Sequence, residues 1–386
     1  MLRVAYLSSY SPRQCGIATF TEDLTKSIDN LKLLEPSSIV SINDPGASYN
    51  YGNEVLWQID QNDKITYRKA AEFINDSEFD LVNVQHEFGL FGGVWGDYLL
   101  TFLEKLNKPI VTTMHTTLFP DAKIFQTSES TKNHNRVVRK IGKASSAIVV
   151  MTNMAARILQ ESYRIDKERI KVIPHGCPNF EFVPSEPAKN SLGLEGRTVL
   201  STFGLLSRDK GIHQAIKALP EIVKAHPDLL YLIIGVTHPQ VRMNVGEKYR
   251  KRLMRLVEKL NLRDTVRFHN RFLSKDELIQ YLQATDLYIC PYTKKDQLSS
   301  GTVTYALGAG KVIISTPFYY AKELLAEGRG ILCKFNNPGS ITDGIRQFLD
   351  NPEKKAHIEK LAYEYGQSMT WPKVALKYVD LFKELV

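Results

Sequence analysis

Two segments in the second half of the chain carry residue types that bind phosphate groups. In residues 203–211, Arg208 and Lys210 lie between a predicted strand and a predicted helix, and in residues 296–306 two serines, a glycine and a threonine stand together at residues 299–302. Cationic side chains beside a helix N-terminus hold a diphosphate and neutralise the charge that builds on it, while hydroxyl and amide groups donate to phosphate oxygens. Taken separately, each segment also has a simpler explanation, a solvated basic loop for the first and an ordinary serine N-cap for the second.

A third such segment lies near the start of the chain. Residues 11–18 follow the first predicted strand, include Gly16, and lead into a helix predicted to begin near Thr19 or Thr21. This turn presents backbone amides and the positive end of the helix dipole to an anion, but a tight structural turn explains it equally well. The chain has no G-x-G-x-x-G fingerprint and no Walker loop, which argues against a dinucleotide-binding domain and against a P-loop enzyme.

Histidines and an acid stand at the ends of predicted strands in the first half. His86 and Glu87 follow the predicted strand 80–85, and in open α/β sheets such positions face the substrate crevice, so they either contact a sugar or simply end the strand. His115 ends the next predicted strand and, on position alone, is expected to be structural. These residues lack the spacing of a metal motif such as H-E-x-x-H, so no metal site is expected. His134 and the histidines at 213, 226, 238 and 269 are expected on the surface or in loops.

Short β-rich runs alternate with amphipathic stretches along the chain, which indicates α/β domains with parallel sheets and helices on both faces. The predicted strands span residues 3–8, 38–42, 80–85, 109–114, 147–152 and 171–174 in the first half, and 198–205, 229–235, 265–268, 287–291, 311–315 and 330–334 in the second. The predicted helices include residues 21–31, 95–106, 212–219, 245–260, a helix starting at the Ser274 capping box, and the terminal segment 372–386. Proline and glycine interrupt both periodicities between residues 174 and 193, so the predicted domains are 1–180, joined by 372–386, and 181–371.

Composition restricts the class of protein. The chain has 386 residues, a formal charge of +8, 43% hydrophobic residues and 24% charged residues, which is typical of a folded protein with two domains. Its four cysteines are scattered singly, no apolar run reaches the roughly 18 residues of a membrane span, and no signal-peptide pattern opens the chain, so the expected location is the cytoplasm. The positive charge favours anionic partners, but its even distribution argues against nucleic acid. The sequence leaves membrane association open without a specific sign of it, and it does not determine the oligomeric state.

The order and spacing of several motifs resemble the GT-B glycosyltransferases of the retaining family 4 (GT4), also called glycosyl transferases group 1, over nearly the whole chain. The residues that carry the resemblance are Gly16, His115, the segment 174–176, Gly204 with Lys210-Gly211, the helix 306–310 before Lys311, Glu323, the turn 328–332 and Trp371. The resemblance implies two Rossmann-like, doubly wound domains that face a cleft, with the C-terminal helix crossing back to the first domain. It also implies transfer of a hexose, mannose or glucose, from a nucleotide diphosphate sugar to a glycan or another hydroxyl acceptor, with retention of configuration.

The resemblance and the placements above give three groups of site residues. The predicted catalytic residues are His115, Arg208 and Lys210. The predicted donor-binding residues are Gly16, Gly204, Arg208, Lys210, Asp296, Gln297, Ser299, Ser300, Gly301, Thr302 and Tyr305. The predicted acceptor-binding residues are Arg13, Gln14, His86, Glu87 and Glu323. No cofactor or metal is expected, the donor is predicted to be GDP-mannose or UDP-glucose, and in the front-side mechanism of such enzymes the leaving phosphate takes the acceptor proton.

The chain departs from the family pattern at one pair of positions. The family's Glu-x7-Glu pair falls on Gln297 and Tyr305, and in the family the first Glu faces the donor sugar while the second binds the ribose. Gln297 and Tyr305 still offer hydrogen bonds, and the adjacent Asp296 could supply a carboxylate. The arginine usual after the strand glycine is Leu205 here, and Arg208 could replace it. The alternatives to a transferase are therefore a non-catalytic subunit that binds a nucleotide sugar or a glycan, and another GT-B enzyme such as an epimerase.

Overall fold

A computed structural model describes residues 1–122, 124–125 and 127–386, and the chain divides into two compact units. The first unit contains Met1–Gly176 together with Trp371–Val386, and the second contains Cys177–Thr370. Each unit is built on one sheet whose described strand pairs are all parallel. This is the architecture expected from alternating strand and helix patterns.

The strands follow one another along the chain in two series. In the first unit they are β1 Val4–Ser8, β2 Ser38–Asn43, β3 Val55–Asp60, β4 Leu81–His86, β5 Ile110–Met114, β6 Ala147–Val150 and β7 Ile170–Val172. In the second unit they are β8 Thr198–Phe203, β9 Leu229–Ile234, β10 Val266–His269, β11 Leu287–Cys290, β12 Val312–Ser315 and β13 Ile331–Leu332. Their spatial order is β3-β2-β1-β4-β5-β6-β7 in the first sheet and β10-β9-β8-β11-β12-β13 in the second.

Helices connect these strands. The helices of the first unit before the boundary are α1 Gly16–Leu31, α2 Lys64–Asn75, α3 Tyr98–Lys105, α4 Ser128–Ala144 and α5 Asn153–Tyr163. Those of the second unit are α6 Glu186–Ser191, α7 Ile212–Val223, α8 Pro239–Val245, α9 Lys248–Lys259, α10 Lys275–Gln283, α11 Gly301–Gly308, α12 Tyr319–Leu324, α13 Pro338–Leu349 and α14 Pro352–Gly366. The chain then returns to the first unit as α15 Trp371–Leu385. Short 3-10 turns cover Val94–Gly96, Lys167–Arg169, Arg208–Lys210 and Gln367–Met369.

Continuous apolar runs explain why most strands could be recognised. All residues of β1 and β9 are buried, as expected for parallel strands covered on both faces. The prediction missed β3, which lies at the edge of the first sheet and whose first four residues alternate between partly buried and exposed. An edge strand of this kind lacks the continuous apolar run that identified the others.

Two predicted helices begin later than their apolar patterns suggested. Trp95 adopts a left-handed conformation, with φ 56°, so α3 begins only at Tyr98. Gly246, with φ 63°, ends α8, and α9 begins at Lys248. The capping box at Ser274 is confirmed, because its side chain accepts from the Glu277 amide while the Glu277 carboxylate accepts from the Ser274 amide.

The terminal helix α15 packs against α1 within the first unit. Trp371 is buried and meets the ring of Phe20 edge-on, with the ring centroids 5.1 Å apart. Phe382 contacts Tyr6 of β1, and the hydroxyl of Tyr378 is 3.0 Å from Thr113 Oγ1. The predicted apolar stripe of this helix is thus buried, apart from Leu376, which is 43% exposed.

Candidate functional site

The second sheet has its switch point between the neighbouring strands β8 and β11. From β8 the following strands β9 and β10 are added on one side, and from β11 the strands β12 and β13 are added on the other. Ligands of open α/β sheets bind outside the strand ends at such a point. Residues 204–211 follow β8, and residues 291–300 follow β11 and lead into α11. Both predicted phosphate-binding segments of the second half therefore reach the same end of the sheet.

Two glycines let these segments pack directly on one another. Gly204 has φ 122°, and a Cβ there would lie 3.2 Å from Thr302 Cγ2. Gly211 has φ 65°, and a Cβ there would lie 1.8 Å from the carbonyl oxygen of Pro291. Only glycine combines these backbone angles with such close approach, so the two loops are held at a fixed separation.

Lys210 lies within a cluster of hydroxyl groups. Its Nζ donates to the hydroxyl of Tyr292 over 2.6 Å. The Tyr292 hydroxyl is 3.2 Å from Thr302 Oγ1 and 3.5 Å from Ser300 Oγ. Thr302 Oγ1 and Ser300 Oγ are themselves 3.2 Å apart. One ammonium group and three hydroxyl groups therefore converge at the switch point, a donor set suited to phosphate oxygens.

The N-terminus of α11 adds backbone donors to this cluster. Ser300 is the N-cap, and its Oγ accepts from the Val303 amide over 3.4 Å. The capping bond occupies a lone pair and leaves the hydroxyl hydrogen of Ser300 to donate. Gly301 and Thr302 begin the helix, whose positive dipole end favours an anion at this place. Capping and phosphate binding are thus compatible roles for the same serine.

The other predicted donor-binding residues of the second unit lie on the same two loops or on α11. Arg208 is exposed at the start of the short turn that contains Lys210. Gln297 Nε2 donates to the Ser299 carbonyl over 2.9 Å, and Asp296 precedes it in the same loop. Tyr305 is only 6% exposed within α11.

Glu323, a predicted acceptor-binding residue, lies on α12 in the second unit. It is partly buried, and its carbonyl accepts from the Arg329 guanidinium over 3.3 Å. The structure places it on a different element from the cluster around Lys210.

The first unit has an equivalent switch point between β1 and β4. Helix α1 begins there at Gly16, ahead of the predicted start near Thr19 or Thr21. Within the described part of the chain, the Cys15 N-cap makes no side-chain capping bond, and a Cβ at Gly16 would meet no atom within 4 Å. Gly16 therefore has open space on its side-chain side, next to the first turn of α1.

Arg13 and Gln14, the neighbouring predicted acceptor residues, differ in their surroundings. The Arg13 side chain is buried and donates to the Ile42 carbonyl over 2.8 Å and to Gln61 Oε1 over 3.1 Å. It also forms an ion pair with Asp44 at 2.6 Å. Gln14 is exposed. Arg13 thus ties the turn to β2, whereas Gln14 faces solvent.

His86 ends β4 in an apolar environment. It is fully buried and stacks on Phe91, with the ring centroids 5.7 Å apart. Neither ring nitrogen has a hydrogen-bond partner among the described residues. Burial lowers the pKa of His86 to about 3, so the ring is neutral at physiological pH.

Glu87 follows His86 and is bound to the neighbouring strand end. Its carboxylate accepts from Thr116 Oγ1 over 2.5 Å and from the Phe88 amide over 3.1 Å. Burial raises the pKa of Glu87, and the Thr116 hydrogen bond opposes that shift. The side chain is therefore held in place at the sheet edge, with its charged form disfavoured by the surroundings.

A chain of hydrogen bonds fixes the ring of His115. The Asn83 amide donates to the Val111 carbonyl, and Gln85 Nε2 donates to Asn83 Oδ1 over 2.5 Å. Gln85 Oε1 can then only accept, so the bond of 2.8 Å to His115 requires a proton on Nε2 of the histidine. Burial also lowers the pKa of His115 well below its ordinary value. The hydrogen bond and the burial thus favour a neutral imidazole with its proton on Nε2.

The expected surface position of His134 is wrong. This residue is fully buried on α4. It lies among the rings of Phe88, Trp95 and Phe125 at centroid distances of 4.7, 5.2 and 4.7 Å. Its position is explained by the i, i+3, i+4, i+7 pattern with Val137, Val138 and Ile141, which the many polar residues of α4 conceal.

Sequence reasoning also missed residues that support the predicted ones. Tyr292 bridges Lys210 to α11, and Asn83 and Gln85 orient His115. A signal existed for each, since polar residues stood at the carboxyl end of an apolar strand or within it. Among the described residues, no three His, Cys, Asp or Glu side chains form a group that could hold a metal ion.

The two parallel sheets, each with a polar cluster at its switch point, define a GT-B protein, and comparison with known proteins agrees. Residues 185–365 match the family described as glycosyl transferases group 1, and residues 57–178 match glycosyltransferase family 4. The chain belongs to this family of glycosyltransferases.

Curated relatives are distant in sequence. D-inositol 3-phosphate glycosyltransferase of Corynebacterium urealyticum is 25% identical over 62% of this chain and 57% of the relative. Spore coat protein SA of Bacillus subtilis is 27% identical over 52% of this chain and 52% of the relative. The chain thus spans little more than half the length of these two relatives.

Solved structures match over the full chain. Anabaena HepE in complex with UDP and glucose has a TM-score of 0.77 at 16% identity, covering 99% of this chain and 100% of that one. Sucrose-phosphate synthase from Thermosynechococcus elongatus has a TM-score of 0.78 at 17% identity and covers 99% of both chains. These similarities establish the fold. In the part of the chain that the structure describes, no helix has both the length and the apolar character needed to cross a bilayer.

Proposed function

We propose that this protein is a retaining, metal-independent hexosyltransferase that uses a nucleotide diphosphate sugar. The observation that carries the proposal is the cluster of Lys210, Ser300 and Thr302 at the switch point of the second sheet. It combines a cation, hydroxyl donors and a helix N-terminus where the fold places ligands.

The cluster would act on the charge that develops in the reaction. The bond between the anomeric carbon and the phosphate oxygen breaks while a bond to the acceptor oxygen forms, and the acceptor proton passes to the leaving phosphate. The nucleoside diphosphate gains negative charge in this step, and the Lys210 ammonium with the α11 donors would stabilise it. Because a protein cation supplies this stabilisation, the proposal includes activity without a divalent metal.

The names of similar proteins suggest which donors to test. The HepE structures include complexes with UDP-glucose, and one curated relative is a phosphatidyl-myo-inositol mannosyltransferase, 22% identical over 82% of this chain and 74% of the relative. A glucose or mannose donor, UDP-glucose or GDP-mannose, is therefore the first choice for this chain.

We assign the acceptor to polar groups at the carboxyl edge of the first sheet. Glu87 and His115 lie on neighbouring strand ends, and the His115 amide donates to the His86 carbonyl over 2.9 Å. A carboxyl group and an imidazole are groups that hydrogen-bond sugar hydroxyls, and these two residues directly follow β4 and β5. The acceptor in this proposal is a glycan or another compound with a free hydroxyl group.

A non-catalytic subunit that binds a nucleotide sugar is the second candidate. It is favoured by Gln297 and Tyr305, which replace the two acids of the family pattern. Such a subunit would keep the cluster around Lys210 and bind the donor without turning it over. Binding and turnover measured together separate the two functions.

The test is calorimetric titration of the purified protein with UDP-glucose, GDP-mannose and ADP-glucose, in EDTA and again with Mg²⁺. We expect the donor with one of the three nucleobases to bind in both conditions. We also expect Lys210→Met to weaken that binding about tenfold or more. Lys217→Met is the control, because Lys217 is exposed on the neighbouring helix α7. Binding that requires Mg²⁺ would contradict metal independence, and equal binding by the two variants would remove Lys210 from the site.

A further inference from the structure

We infer that Tyr292 is a positioning residue for Lys210. The inference rests on the proposed function, because the ligand is a nucleoside diphosphate at the same cluster. It adds a residue that the family resemblance did not identify, and it gives that residue a role other than direct contact with the reacting atoms.

The hydrogen bond between Lys210 and Tyr292 can run in only one direction. An ammonium group has no acceptor, so Lys210 must donate to the Tyr292 oxygen over 2.6 Å. The phenolic hydrogen is then available to the oxygens of α11, of which Thr302 Oγ1 at 3.2 Å is nearer than Ser300 Oγ at 3.5 Å. The positive charge of Lys210 thus polarises the tyrosine toward the start of α11.

The start of α11 adds hydroxyl groups at the same place. Ser300 Oγ accepts from the Val303 amide, and the hydroxyl oxygens of Tyr292, Ser300 and Thr302 lie within 3.5 Å of one another. Because a hydroxyl group can donate as well as accept, these groups can bind phosphate oxygens beside the Lys210 ammonium.

The Tyr292 ring is fixed, whereas a lysine side chain is flexible. Tyr292 is 2% exposed and stacks on Phe318, with the ring centroids 4.9 Å apart at 20°. The Lys210 ammonium lies 4.1 Å from the centre of the tyrosine ring as well as in contact with its hydroxyl. Holding the ammonium in place before the ligand arrives reduces the side-chain entropy that binding would otherwise lose.

Lys210 retains two N–H donors beyond the one that Tyr292 receives. We expect these to bind the distal phosphate of the nucleotide, the group that leaves with the developing charge. Removal of the Tyr292 hydroxyl should therefore weaken ligands that have a distal phosphate and spare ligands that lack one. A purely structural role for the tyrosine would affect both kinds of ligand alike.

The test compares Tyr292→Phe with wild type in titrations with UDP, GDP and ADP, each beside its monophosphate. Phenylalanine keeps the stacked ring and removes only the hydroxyl. For the base that wild type binds, we expect diphosphate affinity to fall about tenfold, with monophosphate affinity changed less than about twofold. Tyr231→Phe is the matched control, since its buried hydroxyl bonds Thr202 over 2.7 Å in the same unit, and it should leave both affinities unchanged.

A second variant pair tests the route through Lys210. If Tyr292 acts by holding the lysine, adding Tyr292→Phe to Lys210→Met should change diphosphate affinity by less than about twofold. Equal losses for mono- and diphosphate, or a full tenfold loss in the Lys210→Met background, would overturn the inference. So would unchanged diphosphate binding by the single Tyr292→Phe variant. Failure of wild type to bind any of the nucleotides would instead overturn the proposed function, so the two failures are distinguishable.

Discussion

Gln297 is the residue at which this chain differs most from its family in a way that bears on chemistry. Its side-chain amide donates to the Ser299 carbonyl over 2.9 Å, and its own carbonyl accepts from the Tyr320 amide over 3.1 Å. The bond from Tyr320 is made to the backbone, so it holds the loop between β11 and α11 with either a glutamine or a glutamate at this position. The side-chain group at position 297 is an amide where the family pattern has an acid.

Gln297→Glu should change donor choice. A carboxylate has no hydrogen to donate, so it loses the bond to Ser299 and becomes free to accept from sugar hydroxyls. We expect kcat/KM to change about tenfold or more for at least one sugar of the donor panel, measured by product formation. Gln347→Glu is the control, because Gln347 lies on α13 and its side chain accepts from Lys354 of α14 over 2.8 Å. An identical donor panel for wild type and Gln297→Glu would mean that position 297 does not face the sugar.

His86 makes the first unit sensitive to acid. The pKa of His86 is about 3 in the folded chain and 6.5 when the ring is exposed. Between pH 3 and pH 6.5 the unfolded chain therefore binds more protons at this residue than the folded chain does. The neutral buried ring therefore carries no penalty above pH 6.5, and stability falls as the pH decreases from 6.5 toward 3. At about 1.4 kcal/mol per pH unit, this histidine alone would lower the free energy of unfolding by up to about 2 kcal/mol at pH 5.

His86→Phe should reduce this loss, because phenylalanine keeps the ring contact with Phe91 and cannot be protonated. The measurement is the free energy of unfolding from urea denaturation at pH 7 and pH 5. We expect the difference between the two values to be smaller in the variant by up to about 2 kcal/mol. An unchanged difference would show that His86 is not the group that couples acid to stability.

Residues of the candidate site could be singled out from the sequence only where a motif or a strand end marked them. Lys210, Ser300 and Thr302 were singled out because charge and hydroxyl types coincided with helix starts, and the structure brings them together through Tyr292. Tyr292 and Gln85 were not found, because their importance lies in partners far along the chain, Lys210 and His115. Arg13 carried the right charge for a ligand, but its bonds to Ile42, Gln61 and Asp44 depend on the neighbouring strand and could not be inferred.

Helices and strands could be predicted where a single local sequence pattern, such as an apolar run or a capping box, determines the structure. Fully buried parallel strands such as β9 and the capping box at Ser274 carry such signals. The start of α3 was not predictable, because a left-handed Trp95 interrupts a continuous apolar pattern. Strand β3 was not predictable either, because it is defined by its pairing with β2 and not by its own composition.

The helix α15 depends on a close contact with the loop that precedes the unit boundary. Gly176 lies against the Trp371 ring, and a Cβ at this glycine would approach the ring to 2.2 Å. Trp371 is itself buried beside Phe20 and His175, so the ring has little room to move. The tryptophan thus fixes the position at which α15 begins.

Gly176→Ala should destabilise the protein by about 1–3 kcal/mol, because the added methyl overpacks a buried contact. The measurement is again the free energy of unfolding from urea titration. Gly89→Ala is the control, since a Cβ at Gly89 would meet no atom within 4 Å. Equal stability of the two variants would mean that the Trp371 ring yields easily and that α15 is not anchored there.

Both units of the molecule carry part of the family signature. The group 1 match lies in the second unit and the family 4 match lies almost wholly in the first. The net charge of +8 suits anionic substrates such as nucleotide sugars. Under the proposed function, a protein that kept only donor binding would need the second unit alone, whereas transfer would also need the polar strand ends of the first.

The most direct test of the central claim is turnover by the whole chain. Release of nucleoside diphosphate from UDP-glucose and GDP-mannose would be measured in EDTA with a mixture of glucoside and mannoside acceptors, for wild type, Lys210→Met and Lys217→Met. We expect wild type and Lys217→Met to release product at the same rate, and Lys210→Met to be slower by about a hundredfold or more. Tight donor binding by wild type with no release, or equal release by wild type and Lys210→Met, would contradict the account.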